Sequence, residues 1–262
     1  MDAETSILQS LYAFPYMTVK QITRLLYSPG SQRSGVNPRM KTLSESELVM
    51  RLPMYSQSTA KEYVYWLGTK GRNKLRKIGY DFTNWREPAK MADFLSSSHF
   101  RHSMVTTDFL IEATLLPDVE IKAVMHDFTL KRLRNAQVIP DGWIHFFTDK
   151  DIYLWLEIDL GTEKRDRIQD KVWTIIDYIK TNGYQRDYQT PTPVIVFYCL
   201  EEHRRDELVT WIEQKLTAMN EVKKAQWFLV GSPALSPDMF FETVWIQPNC
   251  QGDRTCVSLL AL

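Results

Sequence analysis

Five apolar residues, Ile152, Leu154, Leu156, Ile158 and Leu160, stand two apart in the chain, with Tyr153, Trp155, Glu157 and Asp159 between them. A β-strand sends successive side chains to opposite faces, so this stretch predicts a strand with one wholly apolar face. The other face carries two acids behind two aromatics. Acids are depleted in strands, so a pair of them on so apolar a strand calls for a chemical reason.

The preceding segment, Val138 to Phe147, is rich in β-formers and has Asp141 near its start. Asp149-Lys150-Asp151 forms a short charged link, which predicts a hairpin. Pairing of the two strands brings Asp141 towards Glu157. Two converging carboxylates and a backbone carbonyl make a hard-oxygen site suited to Mg²⁺ or Mn²⁺. A cation held there polarises a phosphodiester and lowers the pKa of its bound water.

Pro140-Asp141 followed by Glu157-x-Asp159 resembles the PD-(D/E)xK nuclease-like core. The longer string Pro140-Asp141, Leu156-Glu157-Ile158-Asp159-x-Gly161-Thr162-Glu163 and Lys171 resembles the replication-relaxation family of bacterial mobile elements. The resemblance implies an α/β fold: an N-terminal winged helix-turn-helix followed by a PD-(D/E)xK-like domain with a mixed sheet. It implies a DNA-binding protein of a plasmid or mobile element, acting in replication initiation, mobilisation or cleavage, with a conditional Mg²⁺ or Mn²⁺. Asp141, Glu157, Asp159 and Lys171 are then the catalytic candidates, and Asp141, Glu157 and Glu163 the metal ligands. One departure stands out. The position that nuclease-like cores fill with lysine is Asp159, so the ammonium has to come from elsewhere, and Lys171 on the next helix is the candidate.

The net charge of zero conceals an asymmetry. Residues 1–102 hold 15 Lys+Arg and 8 Asp+Glu, 15 − 8 = +7, and the remainder holds 17 and 24, 17 − 24 = −7. A basic first part predicts a polyanionic partner there, with uneven but unpartnered surface charge as the alternative. No apolar run approaches the ~18–20 residues of a membrane span, and Met1-Asp2-Ala3-Glu4 lacks the pattern of a secretion signal. Cys199, Cys250 and Cys256 are few, widely spaced and odd in number, which fits a reducing cytoplasm and no zinc spacing.

In the N-terminal third, Ile7, Leu8, Leu11 and Tyr12 predict a helix ending before Pro15. Thr18 with Gln21 reads as a capping box opening a second helix. A third helix is expected over Pro38 to Leu52, then a strand at Glu62 to Thr69 and a short basic helix ending at Gly79. That order is a winged helix-turn-helix over residues 1–80. Tyr65-Trp66-Leu67-Gly68-Thr69-Lys70-Gly71-x-x-x-Leu75 resembles the family's wing strand running into its closing helix. In such modules the third helix enters the major groove, which makes Arg33, Arg39 and Lys41 the reach into double-stranded DNA. Lys61, Lys70, Arg72, Lys74 and Lys77 are expected on phosphate, where they set affinity rather than sequence choice.

Residues 81–98 read as a linker and 99–262 as the nuclease-like domain. That domain is expected to run helix (His99 to Leu115), three antiparallel strands beginning over Glu120 to Arg134, helix (Glu163 to Thr181), strand (Pro193 to Leu200), helix, strand. Glu112 on its first helix is a further acid candidate. The apolar end, Val257 to Leu262, either packs back or meets a partner, a second copy or another protein of the mobile element. Two functional classes remain open: a metal-dependent nuclease or nickase, and a regulator that keeps the nuclease-like core as scaffold.

Overall fold

The computed structural model describes residues 2–27, 35–54, 62–85, 87, 90–133 and 136–260. The chain divides into two compact units, Met1–Ile111 and Glu112–Leu262.

The first unit runs α1 (Ala3–Ala13), β1 (Met17–Thr18), α2 (Val19–Leu26), α3 (Val36–Glu45), β2 (Val49–Pro53), β3 (Tyr63–Leu67), α4 (Thr69–Arg76) and α5 (Met91–Leu95). Its antiparallel sheet has the order β1-β3-β2, with Met17 opposite Tyr65 and Val49 opposite Leu67. Helices α1 to α3 with a hairpin of β2 and β3 are the winged helix-turn-helix topology. The Thr18 capping box forms as expected, its hydroxyl accepting from Gln21 N–H and its N–H donating to the Gln21 side chain. Ile7, Leu8, Leu11, Met17, Ile22, Val36, Met40, Val49, Leu67 and Leu75 are fully buried, each such side chain contributing roughly 1.5–3 kcal/mol.

Two expectations are corrected here. The third helix does not reach Leu52: it closes at Glu45, Glu47 takes a left-handed backbone (φ 59°), and Val49–Pro53 becomes the first wing strand. The segment 81–98, expected as a linker, carries α5 and packs onto the first unit. Phe94 lies against Tyr16 and Phe100. The Tyr12 hydroxyl donates to the Asp81 carbonyl at 2.8 Å, and Tyr12 also meets the rings of Tyr80 and Phe82. Scattered aromatics anchor this stretch without any periodicity to announce it.

Helix α6 (Ser98–Thr114) contains the division between units. The second unit continues β4 (Glu120–His126), α7 (Asp127–Leu133), β5 (Gly142–Phe147), β6 (Asp151–Asp159), α8 (Arg165–Lys180), α9 (Gly183–Tyr188), β7 (Val194–Cys199), α10 (Glu202–Ala218), β8 (Phe228–Gly231), β9 (Trp245–Gln247) and β10 (Thr255–Val257). One mixed sheet orders the strands β10-β9-β8-β7-β6-β5-β4. Strands β4, β5 and β6 form an antiparallel meander, and β6, β7 and β8 are parallel, joined by crossovers through α8 and α10. Helix, three-stranded meander, helix, parallel strand is the order that the PD-(D/E)xK resemblance implies. Of the stretch Glu120 to Arg134 only the first part is strand, since α7 follows directly.

Both faces of the central strands are covered. Trp143, Trp155, Ile195, Phe197 and Val230 share a core cluster with Ile168, Val172, Ile175 and Ile179 of α8 and with Leu208, Ile212 and Leu216 of α10. Ile144, Phe146, Leu154, Leu156, Ile158, Val196 and Leu229, which alternate with them, are buried as well. The acids of β6 are therefore not on a solvent face but inside, beneath α8 and α10. The apolar end packs back as far as Leu260, the last described residue: Leu259 is fully buried, and Leu260 N–H and the Ser258 hydroxyl both donate to the Phe240 carbonyl. Among the described residues no helix is long and apolar enough to cross a membrane.

Candidate functional site: an acid–lysine centre under a mixed sheet

The β5–β6 ladder ends with Gly142 opposite Leu156, and Asp141 stands one residue beyond it. The Asp141 N–H donates to the Leu156 carbonyl at 3.0 Å, and its carboxylate accepts from Ile158 N–H at 2.8 Å. Asp141 thus closes the end of the hairpin and is held beside Glu157, the residue between those two. Glu157 is 5% exposed. One of its oxygens accepts the Trp155 indole N–H at 2.7 Å, and the other lies 3.0 Å from the Lys171 ammonium, which reaches in from α8. Lys171 also stands 3.4 Å from Glu163 Oε2, an oxygen that is buried and has no hydrogen bond.

The electrostatics follow from three carboxylates around one ammonium. Removal from water pushes the Glu157 carboxyl up, Lys171 pulls it down and the Asp141 charge pushes it up again, leaving it at about 7. Burial disfavours the charge on Lys171, but Glu157, Asp141 and Glu163 outweigh that and hold it above the ordinary lysine value. The raised Glu157 binds its proton more tightly folded than unfolded. Its contribution to stability is whole below its unfolded value, near 4.5, and is lost as pH rises through about 7. Glu157→Gln removes that slope. The expected result is flatter unfolding free energy between pH 4.5 and 7 in urea titrations, and an unchanged slope would refute it.

Asp159 does not join this centre. Both its oxygens face Arg204 of α10, at 3.2 and 2.8 Å, in a pair whose side chains are 2% and 8% exposed. Asp159, at the position that the nuclease-like pattern fills with lysine, is thus half of a buried ion pair, and the ammonium near Glu157 is that of Lys171 on α8. Gly161, at φ 78°, turns the chain immediately after this strand, and its N–H donates to Asp159. That backbone is strained for residues with a Cβ.

For a divalent cation the side chains present offer at most a partial ligand set. Asp141 and Glu157 carry hard oxygens on neighbouring segments, and Glu163 Oε2, buried and without a hydrogen bond, lies 3.4 Å from the same ammonium. Among the described residues, no three His, Cys, Asp or Glu side chains converge closely enough to enclose an ion. The side chains suited to holding one are therefore Asp141 and Glu157, with Glu163 nearby through Lys171.

The expected DNA-reading cations are in mixed circumstances. Arg39 and Lys41 lie on the exposed face of α3, Arg39 donating to the Tyr27 hydroxyl at 2.8 Å and Lys41 lying 3.8 Å from Glu45. On α4 most of the basic charge is answered. Lys70 pairs with Glu47 at 2.9 Å, Arg72 with Glu87 and the Leu67 carbonyl, and Lys74 with Glu4. Lys77 is exposed. Arg33 and Lys61 lie outside the described residues. Two features escaped the sequence reading. Arg51 is exposed on wing strand β2, its guanidinium 4.8 Å from the Tyr63 ring centre. Lys164, Arg165 and Arg167 are exposed at the start of α8, beside Glu163, and none of the three has an ion pair among the described residues.

Fold and site together define a mixed α/β protein, with a winged helix-turn-helix order of elements in the first unit and a mixed seven-stranded sheet in the second. The chain belongs to the replication-relaxation family, whose model matches residues 8–195, well over half of its length. No curated protein matches it. Among solved structures, Bacillus subtilis PadR in complex with operator DNA aligns over 83% of this chain and 93% of its own, at 14% identity and a TM-score of 0.26. Similarity at that level bears on neither fold nor function here.

Proposed function

We propose that this protein binds double-stranded DNA through its winged helix and hydrolyses a phosphodiester bond at the acid–lysine centre once that centre holds Mg²⁺ or Mn²⁺. The observation that carries the reading is Lys171. It crosses from α8 to within 3.0 Å of Glu157, in the field of Asp141, restoring the acid, acid and lysine set that Asp159 interrupts in the sequence. A bound divalent ion supplies Lewis acidity and a water of lowered pKa. Asp141 and Glu157 offer it oxygens. Lys171 orients the attacking water or offsets the charge that builds on the phosphorane. Glu163, rather than Asp159, is the carboxylate left to act as base or further ligand, because both oxygens of Asp159 are committed to Arg204. Membership of the family supports a role in replication or mobilisation of plasmid or mobile-element DNA. The test is supercoiled plasmid incubated with the purified protein and Mn²⁺ or Mg²⁺: nicked or linear product that chelator suppresses supports the reading.

One arrangement favours a second reading, a DNA-binding regulator with an idle core. Both Glu157 oxygens already accept from Trp155 and Lys171, and Asp141 serves to end the hairpin. Under it, a mobility shift appears without cleavage in any metal.

Both readings share one prediction. Arg39→Glu with Lys41→Glu places two acids on the exposed face of α3, and affinity for duplex DNA should fall about tenfold or more, with the salt slope reduced by about 1 for each phosphate that the protein no longer neutralises. Titrations at several salt concentrations measure both. Unaltered affinity removes α3 from the interface.

A further inference from the structure

Arg204 is buried and makes more contacts than an ion pair requires. Its guanidinium donates to both oxygens of Asp159, to the Glu163 carbonyl at 2.6 Å and to Glu207 Oε2 at 3.0 Å, and it lies 4.6 Å over the ring of Trp211. Asp159 ends β6, and Glu163 stands two residues before α8 begins at Arg165. One planar group therefore fastens the two ends of the turn that follows β6.

We infer that Arg204 is a positioning residue: by tying Asp159 to the Glu163 carbonyl it fixes the turn over residues 160–164 and so aims the Glu163 carboxylate at Lys171. The inference rests on the reading of the acid–lysine centre as a reaction site for its importance, but not for its test. The fixed fork of the guanidinium matters, because two N–H groups meet Asp159 while one of them also reaches the carbonyl. A lysine ammonium is a point charge and cannot span the same acceptors in one plane. Trp211 and Glu207 hold the fork from behind, so its direction is set by α10 and not by the turn that it holds. Gly161 supplies the left-handed residue that lets this short turn close. The acid at position 159 is then no defect in a nuclease pattern. It is the anchor that α10 grips, and the lysine moved to α8 depends on the turn that the grip holds still.

The experiment uses the full-length protein and a zero-length carbodiimide, which joins a carboxylate to an amine only where they already touch. Lys171 should link to Glu163, 3.4 Å away, as well as to Glu157, 3.0 Å away, the two products being told apart by their peptides, and Lys180 should link to Glu221, another ion pair of the same unit that serves as the reference. Mass spectrometry reads the ratio of the two products. Arg204→Lys should lower the Lys171–Glu163 product about tenfold relative to the reference. Should that variant not fold, Asp159→Asn with Arg204→Gln, which removes both charges together, carries the same comparison. An unchanged ratio in whichever of these variants keeps its reference product and its backbone protection across β7 and β8 overturns the inference. Where the wild-type protein cuts plasmid, Arg204→Lys should reduce kcat about tenfold with little change in KM, and Glu163→Gln should add little to it, because the two act through one contact. Wild-type protein that does not cut refutes the hydrolytic reading alone, while the cross-link ratio still decides the role of Arg204.

Discussion

If the proposed hydrolysis holds, Glu157→Gln, assayed with Mn²⁺ on supercoiled plasmid, should lose at least about a hundred- to a thousandfold of the nicking rate, the scale of removing one electrostatic contributor from a water-poor site. Glu157 is the meeting point of the centre. It receives the Trp155 indole on one oxygen and Lys171 on the other, and Asp141 is fixed beside it by the Ile158 N–H. Glutamine keeps the shape and can still accept from Trp155, but it offers a metal ion no charge and leaves Lys171 with Glu163 as its nearest acid. Asp141→Asn should lose a comparable factor, and Lys171→Met should be nearly as severe while sparing metal affinity. Asp159→Asn should be far milder, about tenfold, because Asp159 acts through Arg204 and not on the reacting atoms. The decisive pattern is the contrast between 157 and 159. If both substitutions cut as well as the wild type, the cleavage arises elsewhere. If Asp159→Asn is the more damaging, the centre has been drawn around the wrong acid.

That contrast also marks what the sequence could and could not reveal. The alternation from Ile152 to Leu160 fixes β6 and puts Glu157 and Asp159 on one face, and the charged link at 149–151 fixes the hairpin that brings Asp141 alongside. Lys171 on α8 enters through the family resemblance, whose string of residues runs on into that helix. All of these depend on neighbours within about one element. Arg204 does not. Its partner Asp159 is 45 residues away, and nothing local distinguishes a buried arginine at the start of α10 from the Arg205 that follows it. The same limit applies to α4, whose basic run reads as a phosphate track until Glu4, Glu47 and Glu87 are brought against it from other elements. The wing strand β2 was hidden because five residues with Arg51 at their centre are too short to show a period, and α7 and α9, of seven and six residues, were hidden likewise. The burial of both sheet faces was legible in the apolar face of β6 but not in the acidic one. There the charges are covered only because each has a partner, as desolvated charge requires.

The largest effect expected on the first unit comes from a residue that carries no chemistry. A Cβ built on Gly71 of α4 would lie 2.1 Å from the Leu48 carbonyl oxygen, with Leu8 Cδ2 at 3.3 Å behind it. That carbonyl also accepts the Gly68 N–H at 2.9 Å, immediately before β2 begins at Val49. The glycine in Gly68-Thr69-Lys70-Gly71 is therefore the point where α4 lies directly on the backbone that opens the wing. The obstacle is main chain, so no rotamer change relieves it. Gly71→Ala must either push β2 away from α4 or break the Gly68 hydrogen bond, and the cost should reach the upper part of the about 1–3 kcal/mol typical of overpacking. For a unit of this size that corresponds to a fall of about 10–20 °C in its melting, seen as lost amide protection across β2, β3 and α4 and as weakened binding to duplex DNA. Gly35→Ala is the control, since a Cβ there meets nothing within 4 Å, and it should change stability by less than about 0.5 kcal/mol. If Gly71→Ala melts with the wild type and keeps its protection, α4 does not seat the wing, and the tie between the winged helix and its closing helix must be sought in the aromatic contacts of Tyr12, Tyr80 and Phe82.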